Sequence, residues 1–123
     1  MEEDKTEARY SGLNLFSREA VGRRLRIFRE GLGKTLREMS EEVGSDGGQL
    51  WNNYEQGRRL IPVDSANLLT LLYGLDIGWI YQGRLDQLGP RLAEIIRRGE
   101  ALISNHPRAQ VRRWRRKQPP SNR

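Results

Sequence analysis

Two short helical patterns separated by a glycine-rich turn constrain the fold of this chain most strongly. The first opens with Thr35-Leu36-Arg37-Glu38, which matches a capping box, in which each side chain satisfies a backbone N–H at the helix start. Gly44 suits the position after the helix, where a positive φ is cheap for glycine. Residues 45–48 then predict a flexible turn. The apolar residues of this first pattern fall on one helical face, which is Leu36, Met39 and Val43.

The second pattern, 49–59, predicts a short helix with two unlike faces. Trp51 and Tyr54 lie three residues apart, so they share a face and can be buried together. Gly57 stops the helix. Amide side chains point away from the rings, where they suit the base edges of a DNA major groove, although exposed amides also occur on ordinary surface helices. These amide residues are Gln49, Asn52 and Asn53.

Helical periodicity elsewhere predicts an all-α fold with about five short helices between residues 18 and 83. Ser17 is a plausible N-cap for the first helix, and Asp76 for the last. The first apolar stripe is Val21, Leu25, Phe28 and Leu32, with Arg23, Arg24, Arg26 and Arg29 falling largely off it. A later stripe is Ala66, Leu69, Leu72 and Tyr73.

A further helix is expected beyond this domain, with Pro90 near its start. Gly99 is expected to weaken its middle by roughly 1 kcal/mol relative to alanine. The helix either packs on the domain or pairs with a second subunit. The predicted organisation is a flexible arm (1–17), a domain (18–83), a C-terminal helix (84–104) and a disordered basic tail (105–123). Apolar residues recur at helical spacing at Leu88, Leu92, Ile95, Ile96, Leu102 and Ile103.

The charge balance favours polyanionic partners. The chain has 22 Lys and Arg against 16 Asp and Glu, a net charge of +6, so nucleic acid is the first candidate and an acidic membrane surface the second. A basic protein without such a partner is the alternative. The tail from Pro107 to Arg123 contains no acid, and it either lies along DNA phosphates, sits on an anionic membrane surface or serves only as a solubilising tail. Its cations are Arg108, Arg112, Arg113, Arg115, Arg116, Lys117 and Arg123.

The composition offers little for catalysis. Without cysteine there is no disulfide, no thiolate metal site and no thiol nucleophile, and His106 is the single histidine. The segment 31–35 ends like a phosphate-binding loop, but Phe28 stands where that pattern needs glycine and no strand precedes it. No enzyme, cofactor or metal is therefore expected. No signal peptide or spanning segment is visible, so the expected location is the cytoplasm with no membrane partner.

From about residue 20 to 83 the chain resembles the phage lambda repressor/Cro helix-turn-helix family, also called the xenobiotic-response-element family. The resemblance is carried by residues 35–44, by 51–59 and by 76–83, which looks like the closing helix of that family. It implies a compact lambda-repressor-like domain whose recognition helix, about 48–56, enters the major groove of double-stranded DNA. The resemblance also implies that Glu55 is structural and that Gln56 holds a phosphate.

Three departures from the family pattern bear on that interpretation. The turn between the helices is one residue longer than usual. Leu36 stands where many members have a phosphate-binding glutamine. Gly48, at a position that meets a base in the family, has no side chain to offer.

The resulting hypothesis is a sequence-specific DNA-binding transcription regulator, a repressor acting as a homodimer on paired half-sites. The helix from 88 to 103 is the candidate dimer surface. The alternative is an antitoxin or protein-interaction module in which residues 84–104 hold a protein partner and DNA binding is secondary. Base contacts are expected from Gln49, Asn52 and Asn53, and phosphate contacts from Lys34, Arg37, Gln56, Arg58 and Arg59.

Overall fold

A computed structural model of the chain describes residues 16–45 and 47–105, and this part consists of helices and turns. Within it, no helix is both long and apolar enough to cross a membrane. The expectations for the arm before residue 16 and for the basic tail after residue 105 lie outside the described residues. The helices are α1 (Arg18–Leu32), α2 (Leu36–Glu42), α3 (Gln49–Glu55), α4 (Val63–Tyr73), α5 (Ile77–Gln82) and α6 (Pro90–Asn105). The expected all-α fold of five helices followed by a C-terminal helix is confirmed.

Three of these helices begin at side-chain caps that were predicted from the sequence. The Ser17 hydroxyl accepts a hydrogen bond from the Ala20 backbone N–H at 3.0 Å, at the start of α1. Thr35 and Glu38 form both bonds of the capping box at the start of α2. The Asp76 carboxylate accepts from the Trp79 backbone N–H at 3.1 Å, at the start of α5. These bonds satisfy N–H groups that a helix start otherwise leaves unpaired.

The core forms where the predicted stripes meet. Phe28 of α1 lies edge-on to Tyr73 of α4, with ring centroids 5.1 Å apart. Met39 of α2 and Leu69 of α4 are fully buried, as the periodicity predicted. Ile61, in the link before α4, is buried as well, and its carbonyl oxygen accepts a hydrogen bond from the Tyr81 hydroxyl at 2.6 Å.

Two arginines of α1 depart from the prediction that this group lies off the buried stripe. Arg24 and Arg29 are both buried, whereas Arg23 is exposed. The Arg24 Nε donates to the Ile80 carbonyl oxygen at 2.8 Å, which ties α1 to α5. Burial lowers the pKa of Arg24. The prediction was wrong for these two residues because α1 is surrounded by other helices on more than one side.

The α6 helix packs on α1, which is one of the two arrangements that the sequence left open. Gly99 lies against the Ile27 backbone and Gly31 against the Ile95 backbone, so closely that a Cβ on either glycine would collide with a carbonyl oxygen. The Arg98 Nε also donates to the Gly31 carbonyl oxygen at 3.1 Å. The apolar face of α6 is therefore used within the chain, with Leu92, Ile95, Ile96 and Ile103 buried.

The α4 helix differs from its prediction in one position. Ala66 and Leu69 are fully buried and Tyr73 is half-buried, but Leu72 is 55% exposed. The helix carries leucine on several sides, so hydrophobic periodicity alone does not identify its buried face.

The close contact between α1 and α6 predicts an unusual response to Gly99→Ala. Alanine favours a helix by about 1 kcal/mol over glycine, yet here its methyl group would collide with the Ile27 carbonyl oxygen. We expect a net loss of about 1–3 kcal/mol in the free energy of unfolding, measured by urea denaturation. Gly89→Ala is the matched control, because nothing lies within 4 Å of its added Cβ. Equal effects of the two substitutions would contradict this packing.

Candidate nucleic-acid interface

The α3 helix is held from beneath by two aromatic rings. Trp51 is fully buried and Tyr54 is 2% exposed, and their rings meet at 71° with centroids 6.1 Å apart. Gly22 of α1 lies directly below, so close that a Cβ there would collide with the carbonyl oxygens of Tyr54 and Glu55. The predicted burial of both rings is confirmed, and α3 lies directly on the backbone of α1.

A buried ion pair fixes α3 to α1. The Glu55 carboxylate accepts two hydrogen bonds from Arg29, from Nε at 2.5 Å and from Nη2 at 3.1 Å. Its Oε2 also accepts from the Trp51 indole N–H at 2.7 Å. Burial by itself would lower the pKa of Arg29, but the hydrogen bond and the attraction to Glu55 outweigh burial and raise it. The expectation that Glu55 is structural, bonded to a basic side chain across the domain, is confirmed.

The start of α3 is capped from another helix. Its N-cap residue is Gly48, which has no side chain to accept a hydrogen bond. The hydroxyl of Ser40, buried in α2, accepts from the Trp51 backbone N–H at 3.0 Å instead. A Cβ on Gly48 would lie 3.0 Å from the Leu36 Cβ, so a larger capping residue would require α2 or α3 to shift by a few tenths of an ångström.

The opposite face of α3 presents a chain of amides. The Gln49 Nε2 donates to the Asn53 Oδ1 at 3.1 Å, and the Arg58 Nη1 donates to the same oxygen at 3.2 Å. Beside this pair, on the same side of the helix, the Gln56 Nε2 donates to the Asn52 Oδ1 at 3.4 Å. Gln49 and Gln56 are exposed, and both asparagines are half-buried. We call the four side chains Gln49, Asn52, Asn53 and Gln56 the amide face.

Arginines from three elements lie near the ends of α3. Arg58 and Arg59 follow the helix and are exposed. Arg18 of α1 is exposed as well, and its Nη1 donates to the Arg58 carbonyl oxygen at 3.4 Å. We call Arg18, Arg58 and Arg59 the arginine corner. Arg37, an exposed side chain of α2, forms an ion pair with Glu41 at 3.4 Å.

Lys34 occupies different surroundings from the other expected phosphate contacts. Its Nζ donates to Glu42 of α2 and to the Tyr73 hydroxyl of α4, and that hydroxyl also donates to Glu42. The hydrogen bond to Glu42, followed by the one to Tyr73, raises the pKa of Lys34. Its charge is therefore already balanced inside a polar cluster that joins α2 and α4, and a DNA phosphate would have to compete with Glu42 for it.

The structure thus brings most of the expected site residues together and places Lys34 apart from them. The amide face and the arginine corner adjoin one another through the Asn53–Arg58 hydrogen bond, while Lys34 belongs to a separate cluster. Sequence reasoning missed Arg18, which lies 40 positions from Arg58 and is joined to it only by the fold. Within residues 16–45 and 47–105, no group of three histidine, cysteine or acidic side chains is placed to hold a metal ion.

The ion pair beneath α3 predicts that Glu55→Gln destabilises the domain. The substitution keeps the shape of the side chain but leaves Arg29 as a buried cation with weaker compensation from Glu30, which is 3.4 Å away. We expect a loss of about 3 kcal/mol in the free energy of unfolding, measured by thermal or urea denaturation. Glu41→Gln, which alters the exposed pair with Arg37, is the control and should cost at most about 0.5 kcal/mol. Equal losses would argue against a dominant buried pair.

Comparison with known proteins gives one family for this arrangement. Neither the curated proteins nor the solved structures yielded a match. The sequence pattern of the helix-turn-helix domain does match, over residues 22–85, which is just over half of the chain. In such domains two short helices are joined by a turn, and α2, the glycine-rich turn and α3 have that arrangement here. The chain therefore belongs to the helix-turn-helix domain family.

Proposed function

We propose that this protein is a sequence-specific double-stranded DNA-binding transcription regulator, a repressor of the lambda repressor/Cro type, with α3 as the recognition helix. The observation that carries the proposal is the exposed amide face on a helix whose other side is anchored by Trp51, Tyr54 and Glu55. A helix held this firmly presents its outer side chains with little conformational freedom to lose on binding, which favours specific readout.

The hydrogen bonds of the amide face support a preference for adenine. The Arg58 guanidinium is a donor only, so the Asn53 atom that faces it is the oxygen. This leaves the Asn53 Nδ2 as a donor. The Gln49 Nε2 already donates to the same oxygen, which leaves the Gln49 Oε1 as an acceptor. Adenine presents one acceptor, N7, and one donor, the N6 amino group, in the major groove. We therefore assign Gln49 and Asn53 to an adenine, with Asn52 reading a neighbouring base.

Phosphate contacts are assigned to the residues that flank this face. The sequence between Arg37 and Arg58 contains no lysine or arginine, so α3 itself brings no cation to the duplex. Attraction to phosphates then comes from Arg37 on one side and from the arginine corner on the other, with Gln56 as a neutral contact. Lys34 is a weaker member of this set because Glu42 already binds it. The basic tail would add sequence-independent affinity.

The proposal includes a homodimer that binds two half-sites, as the resemblance to lambda repressor and Cro implies. An antitoxin or protein-interaction role through residues 84–104 is the second hypothesis from the sequence. Since the apolar side of α6 is covered by α1, a partner there would meet its polar outer side. A stoichiometric partner that survives nuclease treatment in a pull-down would favour that second role.

The roles assigned to Asn53 and Arg58 predict different losses. Asn53→Ala removes a base-reading amide, so we expect the ratio of cognate to random duplex affinity to fall by about ten- to a hundredfold. Arg58→Ala should weaken binding to all sequences and reduce the salt slope by about one, with a smaller loss of base preference than Asn53→Ala because Gln49 still donates to the Asn53 amide oxygen. Arg91→Ala, on α6 and exposed, is the control and should alter neither. Fluorescence anisotropy over a salt series measures both quantities, and equal losses on both duplexes for Asn53→Ala would contradict its role.

Selection from a random duplex library tests the proposal as a whole. We expect a palindromic motif at about 150 mM salt, where non-specific binding is already weakened. The motif should contain an adenine whose replacement by guanine costs about 1–3 kcal/mol in the wild type and much less in Asn53→Ala. Recovery of no motif would overturn the proposed function.

A further inference from the structure

One side of α4 is a row of uncovered leucines. Leu68 is 37% exposed, Leu71 is 81% exposed and Leu72 is 55% exposed. They lie three and four positions apart, so they share one face of the helix. The opposite face, with Ala66 and Leu69, is fully buried in the core. We call the three exposed leucines the leucine face of α4.

The leucine face lies in a segment of unusual charge for this protein. The chain carries 22 lysines and arginines, yet none lies between Arg59 and Arg84. Within α4 the only charged side chain is Asp64, at the first turn. Residues 106–123 carry seven of the chain's cations and no acid, whereas residues 16–105 hold 13 lysines and arginines against 12 aspartates and glutamates, so the folded domain is close to neutral. The leucine face of α4 brings no cation of its own, and Lys34, which reaches α4 at Tyr73, is paired with Glu42, so two copies can meet at this face without bringing unpaired cations together.

We propose that the leucine face of α4 binds the same face of a second copy of this chain, as a two-fold symmetric dimer. In such a dimer a patch must complement itself, and an apolar face with no cation does so. The parts of the chain outside the described residues fit this face poorly. Residues 1–15 contain five hydrophobic residues among six charged ones, and residues 106–123 contain three hydrophobic residues and seven cations.

The size of the patch is consistent with the core of a dimer interface. The three leucines leave roughly 300 Å² of apolar surface uncovered, which is the size of the largest patch on a typical monomer, and such patches are often functional. A standard interface buries about 800 Å² on each partner, with an apolar centre inside a polar rim. The apolar face of α6 is already covered by α1 and is not available for this purpose.

This inference rests on the proposed function for its biological use, although the contact itself requires no DNA. The α3 helix is seven residues long and offers few base contacts, so one domain reads a short site. Two copies joined through α4 would read two half-sites, and the binding energy of the second would add to that of the first.

The mass of the full-length chain in solution tests the dimer. At about 100 µM, a dimer with a dissociation constant near 1 µM or lower is fully populated, so light scattering should give twice the chain mass of 14.3 kDa. Leu71→Glu should raise the dissociation constant about a hundredfold or more, because both copies would then bring a carboxylate into an apolar contact. The control is Leu85→Glu, at a leucine 69% exposed outside the helices, which should remain dimeric.

Cross-linking provides a second measurement that does not depend on how the glutamate variant folds. The chain has no cysteine, so Leu68→Cys and Leu71→Cys each introduce a single thiol on the leucine face. Under mild oxidation we expect at least one of them to form a disulfide-linked dimer much faster than Leu85→Cys. Equal rates at all three positions would overturn the proposed face.

The outcomes separate this inference from the proposed function. A monomeric wild type, or loss of the dimer in Leu85→Glu as well as Leu71→Glu, would overturn the α4 dimer whether or not DNA binds. A dimer that Leu71→Glu disrupts would support it even if library selection recovered no motif. If both hold, Leu71→Glu should retain the affinity for a single half-site and lose the additional affinity for a palindrome.

Discussion

The buried pair of Arg29 and Glu55 is the interaction on which the placement of the amide face depends. A buried ion pair contributes little net stability, because removing two charges from water costs about as much as their attraction returns. The pair instead fixes how α3 is oriented on α1. Glu55 accepts from Arg29 and from the Trp51 indole, so its carboxylate fixes both the rotation of α3 and its distance from α1. The amide face points outward because Glu55 is held inward, and Gly22 provides the space for this close approach.

The ion pairs of the α2–turn–α3 unit leave its amide face neutral. Glu38 caps α2, while Glu41, Glu42 and Glu55 each pair with a cation from α1, α2 or the link between them. The acids of these two helices are therefore compensated although the unit contains no lysine or arginine after Arg37. A neutral face flanked by arginines suits the proposed DNA contacts, in which amides contact bases and cations contact phosphates.

The α1 helix organises the rest of the domain by packing against other helices on several sides. It contacts α3 at Gly22 and α6 at Gly31, and Arg24 ties it to α5. Because α6 covers α1 with its apolar face, that face serves the stability of a single chain. The leucine face of α4 is left uncovered, which moves the proposed dimer contact from the C-terminal helix to the middle of the domain.

The sequence by itself determined the features that depend on neighbours a few positions apart. The caps at Ser17, Thr35 and Asp76 and the burial of Trp51 with Tyr54 follow from backbone groups and helical periodicity within one or two turns. Only the tertiary structure decided which helices cross and where. It brought together residues far apart in the sequence, buried two arginines, exposed Leu72 and placed α6 on α1. A 3.6-residue period shows that a helix has an apolar side but does not show which helix packs against that side. Contacts between residues far apart in the sequence depend on where two helices cross. Such contacts here are Arg29–Glu55, Ser40–Trp51, Arg18–Arg58 and Gly31–Ile95.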